Sequence, residues 1–220
     1  MGIIQYLNTD PTLFFILVVC LIFSLTFHEY AHGITAYYYG DDTAYRHGRL
    51  TLNPLAHLDP IGTFMILFIG IGYAKPVPVN PNNLENPRKD LIKVAAAGPL
   101  SNLLLTFISI LIFNLIVSPS SPSNVIELLK TMIYINTALA VFNMIPVYPL
   151  DGGQIFGNII GKYNPRFSHQ LLIYGPKILL FLILFGLFTG KSILWMIIGP
   201  VVRFIISTFD LMITIFLNIF

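Results

Sequence analysis

The chain has 220 residues, of which 55% are hydrophobic and 10% charged, with a formal net charge of +2. Soluble domains carry about 25% charged residues, so a water-soluble globule and a disordered chain are both excluded. The small net charge gives no basic face for a nucleic acid, and a single cysteine, Cys20, excludes an intramolecular disulfide and a cysteine-rich metal site.

The composition points to an all-α polytopic membrane protein. Met1 to Asn8 has no Lys or Arg and so lacks the basic start of a signal peptide, and the first apolar run is expected to stay as a span. A crossing helix needs about 20 mostly apolar residues. Leu13–Tyr39 meets this, with His28, Glu29 and His32 as its polar exceptions. Pro60–Tyr73 is short for a crossing, and Gly62, Gly70 and Gly72 weaken it as a helix; it reads as a re-entrant piece or as a sixth crossing. Lys75 to Pro81, with three prolines, reads as extended chain or an edge strand. Leu91–Val117, Val125–Val147, Leu171–Thr189 and Ile193–Phe220 complete about five to six spans.

Arg46, Arg49, Lys75, Arg88, Lys89 and Lys93 follow the first span, and Lys162, Arg166 and Lys177 follow the span ending near Val147. The excess of positive charge places both regions in the cytoplasm and the N-terminus outside. With no internal repeat and no appended soluble region, residues 1–220 read as one integral-membrane domain. Its core, 10–153, carries the chemistry, and 154–220 adds C-terminal spans.

Ionisable groups inside a span are costly and default to function. His28 and His32 lie one helical turn apart on one face. Two imidazoles at that spacing can bind one Zn²⁺, with Glu29 beside it as a general base. A catalytic zinc usually takes three protein ligands. The candidate third is Asp151, which follows the helix-breaking Pro146 and Pro149 and precedes Gly152 and Gly153; a helix-capping Asp is the bland alternative. In Ala97-Gly98-Pro99-Leu100-Ser101-Asn102, Gly98 permits close helix packing and Pro99 suits a first helical turn. Asn102 then reads as a donor to a developing oxyanion or as an interhelical hydrogen bond. His57 reads as a further ligand or a substrate contact or, more blandly, as a loop histidine bonded to backbone. Arg203 and Asp210, two turns apart on one face, read as a structural pair or as contacts to lipid or a partner.

These motifs, in this order and spacing, resemble the site-2 protease family of intramembrane zinc metalloproteases, in its compact branch without PDZ or CBS domains. Asn53 to Thr63 and Ala74 to Pro81 strengthen the resemblance, which covers essentially the whole chain. It implies that His28, His32 and Asp151 hold one zinc ion and that Glu29 and Asn102 serve catalysis. Asn143 matches the Asn that heads the family's Asn-to-Asp-Gly motif. The implied substrate is a transmembrane-helix protein, cut in the cell membrane with the active site toward the cytoplasm. A peptide bond in such a helix is shielded, so the substrate must unwind, and Lys75–Pro81 or the apolar stretch before it offers an edge for strand addition. A non-proteolytic metal transporter or sensor would use the same ligands, although transporters often show duplicated halves and none is visible here. Oligomeric state is not encoded in any motif of the chain.

Overall fold

A computed structural model describes residues 2–70 and 72–219. Met1, Phe220 and Ile71, which falls in the Pro60–Tyr73 segment, lie outside the described residues. Seven helices carry the architecture: α1 (Pro11–Tyr38), α2 (Pro60–Ile69), α3 (Pro87–Ile116), α4 (Ser123–Asn143), α5 (Asp151–Gly161), α6 (Pro165–Thr189) and α7 (Ile193–Ile219). Five of them, α1, α3, α4, α6 and α7, are long and apolar enough to cross a membrane, so the chain is a multi-pass membrane protein. Among the described residues there is no β-strand.

Local signals set the helix starts. Asp10 accepts from the Leu13 amide and Pro11 opens α1; Asp59 accepts from the Gly62 amide and Pro60 opens α2. A polar cap followed by a proline, whose missing N–H would have no partner there, is a strong start. The same device, Asn164 with Pro165, starts α6 before the expected Leu171. The expected Val125–Val147 span instead stops at Asn143, since Pro146 and Pro149 cannot continue it. Pro99 lies well inside α3 rather than in a first turn; membrane helices tolerate this where neighbouring groups satisfy the freed backbone.

α2 has ten residues and rises about 15 Å, half of a hydrocarbon core of roughly 30 Å. The Lys75 amide donates to the His57 carbonyl at 2.8 Å, so the two ends of the segment lie side by side. The segment's two flanks thus meet, as a re-entrant piece requires, and five helices among the described residues are long enough to cross.

α3 is the central element and packs on α1, α4, α5 and α7. Its contact with α4 is a polar ladder inside an apolar shell. The Asn102 amide donates to Asn136 Oδ1 at 2.9 Å, and the Thr106 and Thr137 hydroxyls meet at 3.1 Å. All four side chains are fully buried. Above the ladder, Ile110, Ile133 and Ile213 form an apolar cluster of α3, α4 and α7.

Candidate metal centre

His28 and His32 sit on the face of α1 that meets α3, and Asp151 opens α5, which also packs on α3. The three side chains are buried, and their donor atoms lie within 4.8 Å of one another. His28 Nε2 is 3.1 Å from His32 Nε2 and 3.2 Å from Asp151 Oδ2, while His32 Nε2 is 3.4 Å from Asp151 Oδ1. Asp151 is the first residue of its helix, and the cap position belongs to Leu150. The carboxylate thus faces the histidines instead of closing its own helix.

The second nitrogen of each ring fixes what the first can do. His32 Nδ1 donates to the Val94 carbonyl at 2.7 Å, and His28 Nδ1 donates to Asn102 Oδ1 at 2.6 Å. A carbonyl only accepts, so each ring carries its hydrogen on Nδ1. Asn102 has no freedom to flip, because its amide nitrogen donates to the Ser24 carbonyl at 3.3 Å and to Asn136 Oδ1 at 2.9 Å. Asn136 in turn donates to the Met132 carbonyl. As neutral rings both histidines then turn Nε2 lone pairs toward each other and toward a carboxylate, and Asp151 Oδ2 has no hydrogen-bond donor. Three converging lone-pair groups repel one another unless a cation lies among them, and outer acceptors that fix each histidine tautomer are usual at such centres.

Gly98 leaves the room. A Cβ built there would stand 2.6 Å from His28 Nε2 and nearer still to His32 Nε2. On the other side, Cβ atoms on Gly152 and Gly153 would strike the backbone at Met144 and Tyr148. The bare first turn of α5 lets residues 144–150 fold directly over it and bring Asp151 inward.

Glu29 Oε2 accepts from the Val77 amide at 2.8 Å. Val77 belongs to a strap, residues 75–80, whose far end is held by Asp41, where Oδ2 accepts from the Asn80 amide at 2.6 Å. Burial acts to raise the Asp41 pKa, but hydrogen bonds from Thr43, Asn80 and Asn83 outweigh it and hold the carboxyl below its ordinary range. Asn102 meets His28 through its oxygen, and both amide hydrogens serve other acceptors, so its place is behind the histidine rather than at an oxyanion.

Other polar residues stay apart from the cluster. His57 is buried and bonds through Nε2 to the Thr51 carbonyl, and Asn143 donates to the Leu139 carbonyl of its own helix. Asp210 accepts from Asn114 at 2.9 Å and makes no ion pair with Arg203 among the described residues, whose Nη1 lies over Gly199. The two charges share a face, but two turns are about 11 Å along the axis, and Arg203 points toward the start of the helix. Asn136 and Arg49 were not singled out by the sequence reading. An asparagine in the middle of a span was the available signal for the first.

Comparison with known proteins agrees with this picture. The family model for peptidase family M50 matches residues 112–185, which include Asp151. A Bacillus subtilis (strain 168) protein named "Putative zinc metalloprotease YwhC" is 40% identical over 185 residues, covering 81% of this chain and 84% of the relative. The "Zinc metalloprotease MJ0392" of Methanocaldococcus jannaschii is 27% identical, covering 81% of this chain and 45% of the relative. No solved structure matches.

Proposed function

The chain belongs to peptidase family M50 and is a metalloprotease, and from that premise we propose that it is a zinc-dependent endopeptidase cutting a peptide bond within or near a transmembrane helix of a membrane-protein substrate. His28, His32 and Asp151 are the zinc ligands in this reading, Glu29 is the general base, and Asn102 orients His28. Residues 1–220 act as one integral-membrane domain with the site toward the cytoplasm, and the lipid bilayer delivers the substrate. The observation that carries the reading is the convergence of two imidazole Nε2 atoms and one carboxylate on a space that Gly98 keeps clear.

Zinc held there supplies Lewis-acid activation of water and of a carbonyl oxygen at neutral pH. The chain's own residues do the rest. Glu29 takes the proton of the attacking water on its free oxygen, Oε1, while Oε2 stays on the Val77 amide, and later returns that proton to the leaving amine. Asn102 and Val94 hold the imidazoles in the tautomer that presents Nε2. The buried setting among α1, α3 and α5 limits competing water.

The strap offers little to strand addition. Lys75 spends its N–H on His57 and its carbonyl on Arg49, and Val77 spends its N–H on Glu29. Pro76 and Pro78 have no N–H. An unwound substrate laid against the strap finds carbonyl acceptors at Pro76 and Pro78 and no proline donor to match them.

The test is Glu29→Gln in purified protein, assayed on a single-span membrane protein that the wild-type chain cleaves. Cleavage should fall by at least about 10³-fold, with about one zinc per chain retained. Cleavage at the wild-type rate sinks the general-base mechanism. Metal flux in liposomes without any cleavage would favour the transporter reading.

A further inference from the structure

We propose that Arg49 and His57 form a clamp that positions Glu29 through the strap of residues 75–79; the inference rests on the proteolytic reading above and adds two positioning residues to it. Arg49 is only 8% exposed, and its Nη2 donates to the Lys75 carbonyl at 2.7 Å. Its Nε is buried without a partner, and no carboxylate among the described residues comes within ion-pair distance of it. A guanidinium does not lose its charge, and a buried unpaired charge is costly. A backbone carbonyl in a plain connector needs only a neutral donor, so stability alone does not account for an arginine at this place.

His57 holds the same residue from its other end. It is 1% exposed, its ring is fixed by Nε2 donating to the Thr51 carbonyl, and its own carbonyl accepts the Lys75 amide at 2.8 Å. Both backbone groups of Lys75 are thus taken. In extended chain, alternate residues face the same way, so Val77 turns its amide to the same side, where Glu29 Oε2 receives it. Pro76 and Pro78 interrupt the opposite edge, which carries no N–H at either position. The strap is therefore held from its inner edge at Lys75 and Val77, and beyond them by Asp41 at the Asn80 amide. The Val77 side chain is buried against Gly33, the residue after His32, so strap and metal-bearing helix share one contact.

Glu29 is a long side chain on a helix surface, and one oxygen held by a fixed amide removes most of its rotamer freedom. If Lys75 is released, the strap keeps only its anchor at Asn80, its Lys75 end can swing and carry Val77 away, and Glu29 loses its placement while the three metal-side residues keep theirs. The loss should therefore appear in turnover rather than in metal content or substrate affinity.

The experiment uses the full zinc-loaded chain in detergent, with hydrogen exchange read by mass spectrometry. Between 75 and 79 only Lys75, Val77 and Val79 carry amide hydrogens, so peptides over the strap report almost directly on the clamp. In Arg49→Met, strap exchange should rise at least about tenfold. On a quenched peptide that the wild type cleaves, kcat should fall about tenfold with KM within about twofold, at unchanged zinc content. Arg49→Lys, which keeps a charged donor, should restore most of both. Unchanged strap exchange in Arg49→Met overturns the clamp, as does faster exchange with undiminished kcat. Should Arg49→Met not fold, Val77→Pro removes the one amide hydrogen that reaches Glu29 and should show the same kcat loss with zinc retained; full turnover there also overturns it. If the wild type cleaves nothing while strap exchange still answers to Arg49→Met, the proteolytic reading falls and the mechanical link stands. If it cleaves and the strap does not respond, only the clamp falls.

Discussion

Replacing Gly98 with alanine adds one methyl group at the point where the two histidine rings face α3. That carbon would stand 2.6 Å from both Nε2 and Cε1 of His28, and closer to His32 Nε2. Carbon contacts settle near 3.5–4.0 Å, so the overlap is roughly 1 Å against each ring. The rings cannot retreat, because their Nδ1 atoms are bonded to Asn102 and Val94; α1 and α3 must part or the imidazoles must turn. Overpacking of this kind costs about 1–3 kcal/mol. At about 2–4 °C of melting temperature per kcal/mol for a chain of this length, the protein should still fold. Zinc should not survive as well, since the methyl stands in front of both ligand nitrogens. Affinity should fall by at least about 100-fold, the top of the range for disturbing groups that merely support the ligands. Zinc per chain is measured by mass spectrometry after dialysis against a graded chelator, with helix content followed by circular dichroism. Gly186→Ala makes the same change in α6, where the added carbon meets Ser192 at an ordinary 3.4 Å, and should leave zinc alone. A Gly98→Ala protein that holds stoichiometric zinc at wild-type affinity would show that the metal does not lie between these rings.

Other substitutions separate ligands from their supports. Asp151→Asn should remove most bound zinc with helix content intact; stoichiometric retention would point to a different third ligand. Asn102→Leu deprives His28 Nδ1 of its acceptor and should weaken zinc about 10–100-fold. Asn136→Leu removes one of the two acceptors that fix the Asn102 amide, and should weaken zinc by less, with no further loss when added to Asn102→Leu; additive losses in a titration of all three proteins would break the proposed relay. Asp41 gives a pH signature outside the spans. Its carboxyl is held below the ordinary range by three neighbouring donors despite burial, so its contribution is present above that range and lost as pH falls through the ordinary value toward the folded one. Between about pH 5 and about pH 3, the melting temperature of the wild type should fall more steeply than that of Asp41→Asn; parallel curves would mean that the Asp41 hydrogen bonds contribute nothing.

How much of the site could be read from the chain follows from what each residue must satisfy. His28, Glu29, His32 and Asp151 were visible because ionisable groups in apolar runs have few bland explanations, and two of them also carry a helical spacing. The five crossings were visible for the same reason in reverse, as runs too apolar to be anything else. The boundaries moved only where local chemistry competed with hydropathy, as at Pro146, or reinforced it, as at Asn164 and Pro165. Pro60–Tyr73 stayed open because its length fits two topologies, and the backbone bond that joins its flanks, between Lys75 and His57, is a long-range contact that no local signal encodes.

What stayed hidden depends on register between helices, which no single segment encodes. Asn102 reads from the chain as an oxyanion donor or an interhelical hydrogen bond, and only the positions of Ser24 and Asn136 across two interfaces show which way its oxygen turns, toward His28. Gly98 looked like a packing glycine and keeps the Nε2 side of two rings clear. Arg203 and Asp210 satisfied a same-face rule, yet that rule fixes direction around a helix and leaves an axial gap longer than the side chains close. Arg49 counted as one positive charge among several that set orientation, a reading in which any lysine would serve. Its burial, its missing counter-charge and its bond to Lys75 distinguish it from the exposed Arg46 three residues earlier, which pairs with Asp42 in the ordinary way. A charge that orients a membrane protein can remain in water; one withdrawn from water without a carboxylate must be holding something, and here what it holds leads in two residues to Glu29.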